Sequence, residues 1–155
     1  MEKESYEMHK AKIRTAETKD FDDIFLLLQQ LWPGKKLHEQ NLRAVFASGI
    51  GAQNYEYFCA ESNGNVIGFC SLVIKNSLWY EGPLGYICEL VVDNFYRCQG
   101  IGTVLLKTAI NKAKEKGCGR IELDSAFHRE EAHKFYEKNG FEKRAYLFSK
   151  RVIKT

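Results

Sequence analysis

The sequence predicts a single α/β domain built on a mixed, mostly antiparallel sheet flanked by helices. The chain has 155 residues, about the length of one domain. Strand-like segments are interspersed with amphipathic helical segments along it. A strand, a helix and a second strand follow one another between Gly85 and Asp124, and such a crossover joins two parallel strands. We expect that parallel pair at the centre of the sheet.

The first half of the chain supplies a short strand, two helices and a hairpin. Phe21, Ile24, Leu28 and Leu31 recur at spacings of three and four residues, which gives the first helix one apolar face, and Pro33–Gly34 ends it. The hairpin is predicted from two apolar runs joined by a turn of Ser, Asn and Gly. The predicted segments are a strand at 12–14, helices at 20–32 and 37–46, and strands at 55–60 and 66–75.

The second half contains the crossover and ends in a further helix and strand. Its first strand is rich in Ile, Leu and Val, and the helix that follows is amphipathic. The last helix is predicted to end at an Asn-Gly pair, which suits a helix C-terminus. The predicted segments are a loop at 79–83, strands at 85–92, 120–124 and 141–151, and helices at 100–117 and 130–138.

The composition is that of an ordinary globular domain. Hydrophobic residues make up 45% and charged residues 28% of the chain, which excludes a disordered protein. A chain of this length buries about two-thirds of the surface that its unfolded form exposes, so it needs no disulfide or metal to be stable. The 23 basic and 20 acidic residues give a net charge of +3 and are mixed along the sequence. A nucleic-acid-binding protein would usually show a basic stripe, and this sequence does not.

The cysteines and the N-terminus predict a cytoplasmic location. The cysteines are odd in number, lie ten or more residues apart and include no close pair of the kind that binds zinc. We therefore expect reduced, mostly structural cysteines and no metal. Residues 1–5 are charged and no apolar stretch follows them, so we expect neither a secretory signal nor a membrane span. The cysteines are Cys59, Cys70, Cys88, Cys98 and Cys118.

The loop between the two parts of the crossover is suited to an anion. It reads Arg97-Cys98-Gln99-Gly100-Ile101-Gly102 and joins an apolar strand to the start of a helix. Glycines let a backbone approach a ligand closely, and a helix N-terminus presents N–H groups that suit phosphate or pyrophosphate. The spacing fits neither a Walker loop nor the dinucleotide-binding fingerprint, whose third glycine position is occupied by Leu105. A strand-to-helix turn whose glycines serve only geometry is the alternative interpretation.

Two motifs resemble those of the GCN5-related N-acetyltransferase (GNAT) superfamily. Glu89–Asp93 followed by Tyr96-Arg97-x-x-Gly100-x-Gly102 is similar to the family's core motif. About forty residues later, Ala132-x-x-Phe135-Tyr136-Glu137-Lys138-x-Gly140-Phe141 is similar to a second family signature. The resemblance covers residues 85–148 and implies one N-acetyltransferase domain over 1–155, in which 1–11 could form a flexible N-terminal extension.

The resemblance implies a binding site for acetyl-CoA as co-substrate. In the family, the loop equivalent to the one described above holds the CoA pyrophosphate through backbone N–H groups. The adjoining strand carries a bulge and pairs its main chain with pantetheine, and the two parallel strands, here those containing Val91 and Leu123, splay apart. Where the family often has an Asn that contacts pantetheine, this chain has Arg129, which either reaches a CoA phosphate or is solvated. The implied cofactor-binding residues are Leu90, Val91, Val92, Arg97, Cys98, Gln99, Gly100, Ile101, Gly102, Thr103 and Arg129.

Glu89 is the main candidate for a catalytic base. Acetyl transfer requires a neutral amine, and an alkylammonium with a pKa near 10.4 is neutral in fewer than about one molecule in a thousand at pH 7. A carboxylate beside the acceptor can take the proton directly or through water. Glu89 lies in an apolar strand just before the implied pantetheine segment, and an exposed edge charge or an ion pair with a lysine is the alternative interpretation. Glu81 and Asp124 are the alternative bases.

Tyr136 corresponds to the family's usual general acid. A phenol near pKa 10 is a weaker acid than a thiol near 8.5, so a hydrogen bond that strengthens as the thiolate forms describes its role better than full proton transfer. The alternative is a tyrosine that fills the core beside Phe135. A metal is not expected here, because His128 and His133 lack the spacing of a helical His pair.

The acceptor is expected to be a small-molecule or peptide amine, and a homodimer is left open as the assembly. Aromatic rings together with a carboxylate suit a cationic amine, although most of these side chains could instead fill the core or the surface. A non-catalytic acyl-CoA-binding or regulatory module is the alternative to an enzyme. The candidate acceptor residues are Trp32, Tyr55, Tyr57, Trp79, Tyr80, Glu81 and Tyr146.

Overall fold

A computed structural model describes residues 11–153, so most of the predicted extension at 1–11 lies outside the described residues. These residues form two compact units, and the boundary between them in the sequence lies between Glu122 and Leu123. The elements of the first are β1 (Lys12–Thr15), α1 (Phe21–Leu31), α2 (Glu39–Ile50), β2 (Tyr55–Ser62), β3 (Asn65–Ser77), β4 (Gly82–Val92) and α3 (Ile101–Glu115). They are followed by β5 (Ile121–Leu123) and, in the second unit, α4 (Glu130–Lys138).

The strands form one five-stranded mixed sheet, which confirms the predicted fold class. Its order is β1-β2-β3-β4-β5, with the first four strands antiparallel to their neighbours. β4 and β5 are parallel, as the strand–helix–strand crossover predicts. In the sheet as described this pair lies at one end, because the structure assigns no strand to 141–151. The predicted central position of the pair is therefore wrong for the described residues.

The predicted final strand at 141–151 is the main error among the elements. Within its own unit, the only helix or strand that lies wholly inside 123–153 is α4. A strand requires a neighbouring strand to satisfy its backbone N–H and C=O groups. An alternating sequence pattern indicates which residues could form a strand but supplies no partner. A smaller error concerns the start of β4, which the sequence predicts at residue 85. The strand begins at Gly82, inside the predicted loop 79–83.

Helices cover both faces of the sheet along β2, β3 and β4. Phe21, Ile24 and Leu28 of α1 pack with Phe69 of β3 in one apolar cluster, to which α2 contributes Phe46. On the opposite face, an added Cβ at the neighbouring position 68 would meet Leu105 and Ile101 of α3. Because adjacent residues in a strand point to opposite faces, α1 and α2 cover one side of the sheet and α3 the other.

A charged cluster fastens the edge strand to the start of α1. The guanidinium of Arg14 on β1 donates to both carboxylate oxygens of Asp20 at 2.8 Å, and its Nε donates to Glu61 on β2 at 2.6 Å. Asp20 also accepts from the backbone N–H of Glu17 at 2.7 Å, which fixes the turn that enters the helix. The Arg14 hydrogen bonds hold the pKa of Asp20 below its ordinary value although burial raises it.

Candidate active site

A β-bulge in β4 decides which side of the sheet Glu89 occupies. The register pairs Leu72 with Ile87 but Ser71 with Glu89, so Cys88 is an extra residue in β4. Before the bulge, position 85 faces α3, since an added Cβ there would meet Ala113. After the bulge, Val91 packs in the α1–α2 cluster. Glu89, two residues before Val91, therefore points to the α1–α2 side.

The Glu89 carboxylate is half-buried and is held by the neighbouring strand. Ser71 on β3 is 1% exposed; its hydroxyl donates to Glu89 Oε2 and accepts from the Glu89 backbone N–H at 3.0 Å. Burial raises the pKa of Glu89 above its ordinary value, and the Ser71 hydrogen bond lowers it part of the way back. A carboxylate in such a place is a stronger base than an exposed one once it is ionised.

Tyr57 lies on the same side of the sheet, and the charge of Glu89 affects the pKa of its hydroxyl. Its ring stacks on Phe46 of α2 with centroids 5.3 Å apart, and its hydroxyl passes over the backbone of Gly49. Burial and then the Glu89 charge raise the pKa of the Tyr57 hydroxyl to about 12, so it is protonated at neutral pH. Tyr57 therefore belongs to the apolar cluster while its hydroxyl is near the candidate base.

The chain that leaves β4 is tied to α1 by an amide. Gln30 donates from its Nε2 to Asp93 at 2.9 Å and accepts from the backbone N–H of Asn94 at 3.0 Å. Asp93 in turn caps the 3₁₀ turn Asn94–Tyr96 by accepting from Phe95 N at 3.0 Å. Neither Gln30 nor Ser71 was a predicted site residue, because a lone amide or hydroxyl carries no motif and its partner lies far away in the sequence.

The predicted anion loop joins this turn to α3. Arg97 donates from its Nε to the last carbonyl of β4, Val92 O, at 3.2 Å, which holds the side chain beside the strand end. Cys98 and Gly100 have positive φ values of 61° and 82°, and Gly100 is the N-cap of α3. A Cβ at position 100 would meet no atom within 4 Å. The loop thus offers open space in front of a helix N-terminus, which fits a pyrophosphate in shape and charge.

The remaining loop and strand residues differ in what they can offer a ligand. Val91 is 4% exposed and packed in the α1–α2 cluster, so only its main chain could meet a cofactor, and Ile101 is likewise buried at the base of α3. Gln99 and Cys98 are exposed in the loop. Four further predicted cofactor-binding residues are half-buried: Leu90 and Val92 in β4, and Gly102 and Thr103 in the first turn of α3.

Tyr136 and Arg129 belong to the second unit. Tyr136 lies on α4, where the predicted helix is confirmed, and its ring is 5.3 Å from that of Phe135 and 5.7 Å from that of Phe141. Arg129 is the N-cap of this helix. The alternative base Asp124 also lies in this unit, directly after β5.

The candidate acceptor residues of the first unit do not form one group. Trp32, like Tyr57, packs against the α1–α2 cluster, and it therefore serves the core. Trp79 is 83% exposed in the β3–β4 turn, in which Glu81 has a φ of 55°. Tyr80 in the same turn donates to Glu122 at 3.0 Å.

Neither a metal cluster nor a membrane span is found in the described part of the chain. Residues 11–153 contain no group of three or more His, Cys, Asp or Glu side chains that could hold a metal ion. Within the same range, no helix has both the length and the apolar character needed to cross a bilayer. None of the five cysteines forms a disulfide, and burial raises the pKa of Cys59 and Cys70 to about 12, so these two thiols are inert.

Comparison with known proteins gives consistent matches over most of the chain. The sequence profile of the Acetyltransferase (GNAT) family matches residues 21–141. An aminoalkylphosphonate N-acetyltransferase of Salmonella typhimurium is 34% identical over 139 residues, which is 90% of each chain. A solved structure of a putative acetyltransferase from Agrobacterium tumefaciens superposes with a TM-score of 0.81 at 28% identity and covers 90% of this chain and 99% of that one. Glucosamine-6-phosphate N-acetyltransferase from Arabidopsis thaliana superposes with a TM-score of 0.77 at 25% identity, covering 92% and 99%.

Proposed function

This chain belongs to the acetyltransferase (GNAT) family, and we propose that it moves the acetyl group of acetyl-CoA directly to the primary amine of a small molecule. The observation that carries the proposal is the arrangement along β4. A half-buried carboxylate, Glu89, is followed within one strand and one loop by a helix N-terminus that suits a pyrophosphate. A base and an anion site so close along one chain segment are what acetyl transfer from a CoA thioester requires.

We propose that the loop from Arg97 to Thr103 holds the CoA pyrophosphate and that the main chain of Leu90–Val92 holds pantetheine. The positive φ at Gly100 and the open space around it let the backbone N–H groups at the start of α3 reach phosphate oxygens. Arg97 adds a positive charge beside them. Bound there, acetyl-CoA would supply an activated acetyl group. Arg129 is proposed to reach a phosphate of the same cofactor.

Glu89 is proposed as the base that removes the proton from the acceptor amine. Only an ionised carboxylate can accept a proton. Because the pKa of Glu89 is raised, its ionised form binds a proton more strongly than an ordinary exposed carboxylate does. Tyr136 is proposed to donate a hydrogen bond to the CoA sulfur as negative charge develops there. The roles are complementary, since one group takes a proton from the amine and the other stabilises the departing thiolate.

The acceptor is proposed to be a primary amine that carries a phosphorus oxyanion. Two relatives are named for acceptors of this kind: one acts on aminoalkylphosphonates and the other on glucosamine 6-phosphate. Both compounds combine an amine with a phosphonate or phosphate group.

A homodimer stays a prediction that analytical ultracentrifugation would test.

The experiment has two stages. Thermal shift with acetyl-CoA and CoA tests cofactor binding, and release of free CoA thiol is then measured with 2-aminoethylphosphonate, glucosamine 6-phosphate, a diamine, an aminoglycoside and a peptide with a free N-terminus. We expect stabilisation by both CoA species and the fastest release with one of the first two amines. Absence of stabilisation would refute the proposed cofactor, and stabilisation without thiol release would favour the non-catalytic module.

Glu89→Gln tests the proposed base, with Glu131→Gln as its matched control. Glu131 is exposed on α4 and forms a surface ion pair with Lys134. We expect Glu89→Gln to lower kcat by roughly 10²- to 10⁴-fold and Glu131→Gln to leave it unchanged. Equal rates in the two variants would remove Glu89 from the mechanism.

A further inference from the structure

We propose that Ser71 is a positioning residue that holds Glu89 in the orientation and ionisation state in which it can act as a base. The inference rests on the proposed function, because it takes Glu89 as the base. It starts from the two hydrogen bonds that connect these residues across β3 and β4.

The bulge creates the need for such a residue. In a regular antiparallel pair, the backbone N–H of Glu89 would donate to a carbonyl of β3 or to solvent. With Cys88 inserted, this N–H donates to the Ser71 hydroxyl instead, at 3.0 Å. Ser71 therefore provides the acceptor that the disrupted ladder lacks, and its hydroxyl hydrogen remains available for another partner.

That hydrogen goes to the Glu89 side chain. The Ser71 hydroxyl donates to Oε2, so backbone, hydroxyl and carboxylate form a closed ring in which the glutamate side chain is fixed. We assign the contact with an amine or a water to Oε1, because Oε2 already accepts the hydrogen bond from Ser71. A donated hydrogen bond also favours the charged form of the carboxylate and opposes the effect of burial.

The groups around Glu89 leave this role to Ser71. Tyr57 on β2 is on the same side and protonated at neutral pH, and its pKa responds to the Glu89 charge. Cys70, the neighbour of Ser71 on β3, is buried, and its pKa is raised to about 12 by burial and then by the charges of Glu89 and Cys88. Phe46 and Phe69 line the same side of the sheet with aromatic carbon. Ser71 is the donor whose hydrogen bond with the Glu89 carboxylate the structure establishes.

The test compares Ser71→Ala with Ser71→Thr in the wild-type and the Glu89→Gln backgrounds. Ser71→Ala removes the hydrogen bond to the carboxylate, so Glu89 ionises only at higher pH. The acid limb of kcat/KM, measured with the best acceptor of the amine panel, should move to higher pH, and kcat/KM on that limb should fall roughly tenfold. Ser71→Thr keeps the hydroxyl and should restore the limb, even where its extra methyl group lowers the melting temperature.

The double variant separates a positioning role from a structural one. In both backgrounds, Ser71→Ala removes the acceptor for the backbone N–H of residue 89. It should therefore lower the melting temperature by a similar amount in each. It should reduce kcat much less in the Glu89→Gln background, because no carboxylate remains to be positioned. Equal kcat reductions in both backgrounds, or an unmoved acid limb in Ser71→Ala, would overturn the inference.

A direct titration makes the inference independent of turnover. The carboxyl carbon of Glu89, observed by NMR in ¹³C-labelled protein and assigned with Glu89→Gln, should titrate at higher pH in Ser71→Ala than in the wild type. An unchanged titration refutes the role of Ser71 even in the absence of an acceptor. By contrast, full activity of Glu89→Gln would refute the proposed base and leave the titration result standing.

Discussion

Replacement of Gly100 by alanine separates the backbone strain of the anion loop from its contact with a cofactor. Gly100 has a φ of 82°, a conformation that costs a residue with a Cβ about 1–2 kcal/mol. Nothing lies within 4 Å of the added Cβ, so no steric clash adds to this cost. In a chain of this size we expect the free energy of unfolding to fall by about 1 kcal/mol and the melting temperature by roughly 3 °C.

Gly64 provides a matched control for the same strain. It has a φ of 79°, and an added Cβ there would also meet nothing within 4 Å. It lies in the β2–β3 turn, at the same end of the sheet as the loop that follows β4 but outside the segment proposed to bind CoA. Gly64→Ala should therefore lose about the same stability as Gly100→Ala.

The two variants should differ in cofactor affinity. The Cβ at position 100 would occupy the open space in which the proposed pyrophosphate approaches the backbone. One poorly made charge-assisted contact costs roughly 1.5–3 kcal/mol. The Kd for acetyl-CoA, measured by isothermal titration calorimetry, should therefore rise at least about tenfold. Gly64→Ala should bind like the wild type. If Gly100→Ala retained wild-type affinity, or if both variants lost it equally, the loop would not be the pyrophosphate site.

Three further predictions concern Tyr136, Gly49 and Arg14. Tyr136→Phe should lower kcat by roughly 10²-fold with little change in the Kd for acetyl-CoA, and an unchanged kcat in steady-state assays would exclude it from the reaction. Gly49→Ala should destabilise by about 1–3 kcal/mol in urea unfolding, because its Cβ would lie 2.0 Å from the Tyr57 hydroxyl; unchanged stability would show that the ring moves away freely. Arg14→Gln should cost about 1–3 kcal/mol at pH 7, since Asp20 is 5% exposed and loses its bidentate partner. The lowered pKa of Asp20 contributes stability above pH 4 that is lost as the pH falls further, so acid unfolding of Arg14→Gln should be shallower than that of the wild type; equal slopes would contradict this.

The elements that were predicted well are those specified by local sequence. The helix at 130–138 was predicted with the bounds that the structure has, and the β2–β3 turn was predicted from its Asn-Gly pair. The loop between β4 and α3 was predicted for the same reason, because glycine spacing and a helix start lie next to each other in the sequence, while its binding of an anion stays a prediction. Local propensity and turn chemistry act over a few residues and can be observed without the fold.

The features that could not be predicted depend on partners distant in the sequence. The 141–151 pattern resembled a strand, but a strand exists only with a neighbour. The bulge at Cys88 is a property of two strands in register, so β4 alone shows no sign of it. Ser71 contacts Glu89 across 18 residues of sequence for that reason. Glu89 was chosen for its position in an apolar strand just before the implied pantetheine segment, whereas the hydrogen bonds that hold it depend on the pairing of β3 with β4.

The bulge also limits how the length of β4 can vary. Before Cys88 the odd-numbered residues Gly85 and Ile87 face α3, and after it the odd-numbered Glu89 and Val91 face α1 and α2. The extra residue is thus a change of phase in an alternating pattern. Substitution of Cys88 keeps the phase whatever the new side chain is, whereas deletion of one residue would make the strand alternate without interruption. Without Cys88, Ile87 and Glu89 would be consecutive residues of a regular strand and would keep the opposite faces that they have now. Position 88 is therefore where β4 can lose a residue without moving Glu89 away from α1 and α2, whereas loss of Leu90 would place Glu89 and Val91 on opposite faces.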